Sequence, residues 1–285
     1  MSPQARVVTP PTIAPTAALE AVARLSEAAR SGRPCAPVRD LIGDDAALAY
    51  TVQSLGIADR EADGAARVGR KVGLTSLAVQ RQLGVDQPDF GVLLDSMRVE
   101  VDGEVPAGAL LQGRVEAEVA FVLGSDLPDP STTLAQARSA VAHAAAALEI
   151  VDSRIAGWDI TFADTVADNG SSALFVVSNA VLPLAGDDAV EPVSVEMVLT
   201  VDGEPASSGS GAACLGDPLE ALAWLARTAA GLGKPLRAGD VVLSGALGPM
   251  VDVRPGTRVE TVLSVDGTEV DRVAVHFAAT DGADR

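Results

Sequence analysis

Apolar residues recur at helical spacing, with charges between them, over residues 17–29 and again over residues 44–61. This predicts two or so helices ahead of Gly64, preceded by a loose arm rich in Pro and Thr. Beyond Gly64 the pattern changes to short β-branched and alternating runs. Val-Asp-Gly punctuates them three times, at Val101-Asp102-Gly103, Val201-Asp202-Gly203 and Val265-Asp266-Gly267. Asp-Gly between such runs signals a type I′ hairpin turn. Three hairpins predict a mostly antiparallel β body. Two helices are expected to interrupt it. Residues 133–148 are Ala-rich and apolar on most sides, which predicts a well-buried helix. Residues 217–232 carry clear punctuation, with Asp217 as N-cap, Pro218 at the first position and Gly231 or Gly233 at the stop. No low-complexity linker divides the chain. The reading is an α+β protein with an arm and helical part over residues 1–64 and a β-rich domain over residues 65–285.

Composition narrows the function. At 48% hydrophobic the 285 residues can bury a sizeable core, but with 3% aromatics it is built from Val, Leu, Ile and Ala. A formal charge of −18 repels phosphate backbones and anionic lipid, so neither nucleic acid nor membrane is expected as a partner. An anionic substrate would need a local cation to reverse that field. The two cysteines, Cys35 and Cys214, are too sparse for a disulfide scaffold and read as reduced thiols. No apolar signal-peptide core opens the chain and no apolar run reaches the length of a bilayer, so a cytoplasmic protein is expected. The sequon Asn169-Gly170-Ser171 carries no weight without secretion.

The sharpest chemical feature is Val115-Glu116-Ala117-Glu118-Val119-Ala120-Phe121. Side chains alternate along a strand, so Glu116 and Glu118 share a face, roughly 6–7 Å apart at Cα. Two such carboxylates, if buried, need a cation or a proton. A hard divalent ion with oxygen ligands fits, and so does the plain alternative, the solvent face of an edge strand. Glu149 emerges from the apolar run 144–148 and is a candidate third ligand. Asp152 and Arg154 follow it, as supporting residues or an ordinary ion pair. His143 and His276 lack ligand spacing, so zinc is not expected. Lys71 stands between Gly69 and Gly73, where a buried amine or a surface charge both fit. Asp89 falls in a turn that it could cap. Gly231-Leu232-Gly233-Lys234 lacks the spacing of a P-loop, Gly209-Ser210-Gly211 does not open a dinucleotide-binding unit, and no nucleophile elbow is present.

Taken together, these segments resemble the 2-keto-4-pentenoate hydratases of the fumarylacetoacetate hydrolase superfamily. The resemblance is carried by Lys71-Val72-Gly73-Leu74-Thr75-Ser76, Gln82-Leu83-Gly84-Val85-Asp86-Gln87-Pro88-Asp89-Phe90-Gly91 and Glu116-Ala117-Glu118. It continues through Glu149-Ile150-Val151-Asp152-Ser153-Arg154-Ile155, Asp164-Thr165-Val166-Ala167-Asp168-Asn169, Cys214-Leu215-Gly216 and Ser244-Gly245-Ala246-Leu247-Gly248-Pro249-Met250. It implies a mixed β fold around a distorted barrel-like core with a smaller helical part. It implies a Mg²⁺ or Mn²⁺ site on Glu116, Glu118 and Glu149, with Lys71 and Asp89 moving protons and Asn169 and Ser171 in the pocket. It further implies hydration of 2-hydroxypenta-2,4-dienoate, a dienol acid from aromatic ring cleavage, to 4-hydroxy-2-oxopentanoate. The competing readings are a related 4-oxalocrotonate decarboxylase, cleavage of acylpyruvates, and, from another class, a catalytically silent scaffold partner. A homo-oligomer, in association with other pathway enzymes, is also expected on this resemblance.

Overall fold

A computed structural model describes residues 15–76, 80 and 85–280. The N-terminal arm and the stretch Gln82-Leu83-Gly84 of the resemblance lie outside them. The two periodic stretches form α1 (Thr16–Ser31) and α3 (Ala46–Ala62), with a single turn, α2 (Arg39–Ile42), between them. The Asp45 carboxylate caps α3 by accepting the amides of Ala47 and Leu48. Leu25, Val38 and Val52 of this part form one apolar cluster with Ile155 and with Val166 of α5 (Phe162–Ala167).

The body holds two sheets. The larger has seven strands, β1 (Arg67–Gly73), β2 (Asp89–Leu94), β4 (Arg114–Leu123), β5 (Val141–Val151), β6 (Ser172–Val177), β9 (Val241–Leu243) and β10 (Val251–Asp252). They run in the order β2-β1-β9-β4-β5-β6, with β10 beside the start of β4. The smaller has five, in the order β3 (Glu104–Val105), β12 (Thr268–Phe277), β11 (Arg258–Val265), β7 (Glu196–Val201), β8 (Glu204–Ser210). Among the named strands only β1–β9 and β3–β12 pair in parallel, so the body is mixed and mostly antiparallel, as expected. The larger sheet curls into half a barrel. One face of it meets the smaller sheet and α6 (Pro218–Gly231) through Phe121, Leu148, Leu222, Leu263 and Val275, all fully buried. Asp217 caps α6 by accepting the Leu219 amide at 2.9 Å, and Gly233 follows in the left-handed conformation.

Two expectations fail. Residues 133–148 are not one helix. A capping box between Thr133 and Gln136 starts α4 (Leu134–Ala140), which stops at Ala140, and the Ala-rich remainder is the central strand β5. Ladder bonds to β4 on one side and β6 on the other outweigh the helical preference of alanine. His143 is therefore a half-buried strand residue. The second failure is Val101-Asp102-Gly103, which closes no hairpin. Asp102 is left-handed, but Gly103 is not; the Asp102 amide bonds to Ala274 on β12, and β3 leaves the turn parallel to that strand. At Asp202-Gly203 and Asp266-Gly267 both residues have positive φ, and the expected hairpins β7–β8 and β11–β12 form.

Candidate metal centre

The opposite face of the curled sheet carries an apolar cluster with Ala120, Ala147, Phe175 and Leu243, and is ionisable at one end. Register puts the ionisable groups there. Glu116 on β4 lies directly opposite Glu149 on β5, and Glu118 shares the Glu116 face. Lys71 pairs across from Gly91, and Gly73 from Asp89, so the Lys71 and Asp89 side chains share a face. Asp89 is thus the buried first residue of β2 and not a turn cap.

Ligand oxygens of Glu116, Glu118 and Glu149 lie within 4.8 Å of one another. Glu118 and Glu149 are fully buried and Glu116 is half-buried. The Gly245 amide donates to Glu118 Oε2 at 2.6 Å, and Lys71 Nζ stands 3.4 Å from Glu149 Oε1. Glu118 Oε1, both Glu149 oxygens and Asp89 Oδ1 have no hydrogen-bond partner. Four carboxylates face one ammonium, and like charges directly opposite on neighbouring strands destabilise a sheet. Burial, and then Glu149, push Glu116 up to about 7; the same causes hold Glu118 well above the usual carboxylate range. Burial also raises Asp89, although Lys71 pulls it back. Burial would lower Lys71, but Glu149, Asp89, Glu116 and Glu118 outweigh it and keep the ammonium charged. Orphaned, inward-facing carboxylate oxygens without a nitrogen or sulfur donor fit a hard divalent cation.

A pH dependence follows. Glu116 and Glu118 hold a proton more tightly folded than unfolded, so their contribution is complete below the unfolded value of about 4.5 and is lost as pH rises through about 7 for Glu116. Metal-free protein is expected to lose on the order of a few kcal/mol between about pH 5 and about pH 8. Thermal unfolding across that range checks this, and Mn²⁺ added at the upper end should restore the loss.

Lys71 is held in a cradle of glycines. A Cβ on Gly170, whose φ is +63, would lie 2.7 Å from Lys71 Cε and 3.1 Å from Nζ. A Cβ on Gly73 would lie 2.1 Å from Asp89 Oδ1 and 3.3 Å from Lys71 Nζ, so the two groups converge on the open space over that residue. Gly170→Ala is expected to cut kcat about tenfold or more by displacing the amine, with a stability loss of about 1–2 kcal/mol from the left-handed backbone. Steady-state kinetics beside a melting curve measures both.

The remaining sequence candidates lie in the connection between β5 and β6. Asp152 and Arg154 do not pair with each other. Asp152 accepts the amides of Leu111 and Gln112 at 2.8 and 2.6 Å. Arg154 Nε bonds to Asp168 Oδ1 at 2.5 Å, and its other nitrogens to the carbonyls of Ser172 and Asp168. The Asn169 amide group brackets Val92 on β2, accepting its N–H at 2.8 Å and donating to its C=O at 2.9 Å. Ser171 Oγ meets Thr165 Oγ1 at 3.4 Å. Sequence reasoning gave no site role to the Gly245 amide, which leaves no side-chain signature. It also missed Arg114, which shares the Glu116 face, lies over the Trp158 ring at 4.6 Å and pairs with Asp252 at 3.1 Å. Its i−2 spacing from Glu116 was the available signal.

A family model described as fumarylacetoacetate (FAA) hydrolase C-terminal matches residues 76–274. A 2-keto-4-pentenoate hydratase of Burkholderia vietnamiensis is 56% identical over 234 residues, covering 81% of this chain and 88% of that one. Its counterpart in Paraburkholderia xenovorans is 51% identical, covering 83% and 87%. Among solved structures, the 4-oxalocrotonate decarboxylase of Pseudomonas putida G7, complexed with calcium and acetate, superposes with a TM-score of 0.84 at 29% identity, covering 94% of this chain and all of that one. The same decarboxylase with magnesium and adipate gives 0.82 at 30%, covering 91% and 97%. Among the described residues no helix is long and apolar enough to cross a membrane. The chain belongs to the fumarylacetoacetate hydrolase family, on its 2-keto-4-pentenoate hydratase branch.

Proposed function

We propose that this chain hydrates 2-hydroxypenta-2,4-dienoate to 4-hydroxy-2-oxopentanoate, with Glu116, Glu118 and Glu149 holding Mg²⁺ or Mn²⁺. The observation that carries the metal site is the set of buried carboxylate oxygens without partners; the hydratase relatives support the substrate. A bound divalent cation supplies Lewis acidity to the 2-oxo acid end of the substrate.

The protons fall to the chain's own residues. Water adds at C4 only after the dienol has become a conjugated enone, which needs one proton delivered to C5 and one lost from the C2 hydroxyl. The water gives up one proton as its oxygen bonds to C4, and C3 gains one. Lys71 Nζ and Asp89 Oδ1 converge over Gly73, which supports assigning these proton transfers to them. Their tuning changes with the glutamates' charge. Lys71 is kept charged by Glu149, Asp89, Glu116 and Glu118 against the pull of its burial, so a cation held by the glutamates would weaken that field and ease proton release from the ammonium. Asp89, raised by burial, complements it as a carboxyl that can hold one.

The decarboxylase reading has one observation in its favour, the fold shared over nearly the whole chain at 29% identity. The two readings part on product mass. With Mg²⁺ present, 2-hydroxypenta-2,4-dienoate is expected to gain one water, and 2-oxo-3-hexenedioate to remain intact. Loss of CO₂ from the second compound, with the first unchanged, would replace this reading by the decarboxylase.

A further inference from the structure

A cleft of about 880 Å³ opens beside the turn that supports Lys71. Leu25 of α1 and Val52 and Ile57 of α3 form an apolar wall, and Asp168, Asn169 and Ser172 form a polar floor. None of Lys71, Asp89 or the three glutamates lines it, so it is separate from the metal centre. Ser172 is 2% exposed and its buried hydroxyl oxygen has no hydrogen-bond partner, a cost to folding that a ligand reaching it from the cleft would remove. Arg60 stands at the rim with Asp59 and Asp63; it donates to Ser96 Oγ at 3.4 Å and enters no ion pair among the described residues. On the floor Asp168 is already answered by Arg154.

Gly56 adds an independent sign. It lies inside α3, lines the cleft, and has nothing within 4 Å of where a Cβ would sit. Glycine weakens a helix interior, and here the missing side chain leaves that part of the cleft open. The floor itself is strained. Asn169, Gly170 and Ser171 have successive φ values of +57, +63 and +55, and left-handed non-glycine residues persist only where surrounding structure holds them. Gly170 in this turn leaves room for Lys71, whose Cε a Cβ there would meet at 2.7 Å.

We propose that the cleft is an effector site for a small hydroxylated carboxylic acid with an apolar body. Its carboxylate meets Arg60 at the rim, its hydroxyl meets Ser172 at the floor, and its occupancy braces the Asn169–Ser171 turn behind Lys71. The activity half of this inference rests on the hydratase reading; the binding half does not.

The test uses 4-hydroxybenzoate as probe on the full chain loaded with Mg²⁺, by calorimetry and by crystal soaking. Density in the cleft is expected, with affinity reduced about tenfold by Arg60→Gln and abolished by Gly56→Leu. Gly56→Leu should melt no lower than the parent and keep its basal turnover. Binding indifferent to both substitutions, or density only at the glutamates, overturns the site. In the dienoate assay the probe should raise kcat at least twofold in the parent and leave Gly56→Leu unchanged. Binding in the cleft with kcat unaltered in an active parent overturns the bracing role. If the dienoate is not turned over at all, the calorimetric and crystallographic outcomes still decide the binding half.

Discussion

Glu118→Gln is expected to cut turnover of the dienoate by about 10³-fold or more, corresponding to roughly 4 kcal/mol of lost transition-state stabilisation. The metal-free protein, in contrast, should gain stability above neutral pH. The substitution is isosteric, and the amide oxygen can still accept the Gly245 N–H. What it removes is a fully buried carboxylate whose ionisation the fold resists. In the parent that resistance costs more as pH rises; in the variant the cost is gone. The two effects have opposite signs because the carboxylate destabilises the empty fold and is needed only when a cation is bound. Calorimetric titration with Mn²⁺, kinetics and metal-free melting at alkaline pH measure the three consequences. Unchanged Mn²⁺ affinity would remove Glu118 from the ligand set.

Lys71→Met has a different signature. Turnover should fall by about 10²–10⁴-fold, the range for loss of a positioned acid or base. Mn²⁺ affinity should hold or rise, because the ammonium 3.4 Å from Glu149 competes for the same carboxylates. Metal-free stability should drop by roughly 3–5 kcal/mol, since removing one partner of a buried ion pair strands the other. Metal titration beside kinetics separates Lys71 from the ligands. Loss of Mn²⁺ binding in this variant would mean that the lysine orders the glutamates and does not act on substrate.

Local chemistry was the part of this molecule legible in the sequence. Alternation along a strand places Glu116 and Glu118 on one face without knowledge of any neighbour. Asp202-Gly203 and Asp266-Gly267 declare their turns through the backbone that those residues tolerate. The residue-level argument weakened where pairing decides. Glu149 stands out as a charge at the end of an apolar run, but that it faces Glu116 is a matter of β4–β5 register. Residues 144–147 are four alanines, and no periodicity separates a buried helix from a central strand in such a run. Two-sided pairing settled it. At Val101-Asp102-Gly103 the same tripeptide gave a different outcome, because the Asp102 amide is captured by β12, far away in sequence. The glycines around Lys71 were visible as letters, but their meaning is the space that they leave for one amine.

The most direct test of the account is a crystal of the full chain soaked in Mn²⁺ and measured at the manganese absorption edge. A single strong anomalous peak is predicted among Glu116, Glu118 and Glu149, within about 2.0–2.3 Å of an oxygen from each, a span set by small oxygen-bound divalent ions. No peak there, or a peak held by other residues, would contradict it.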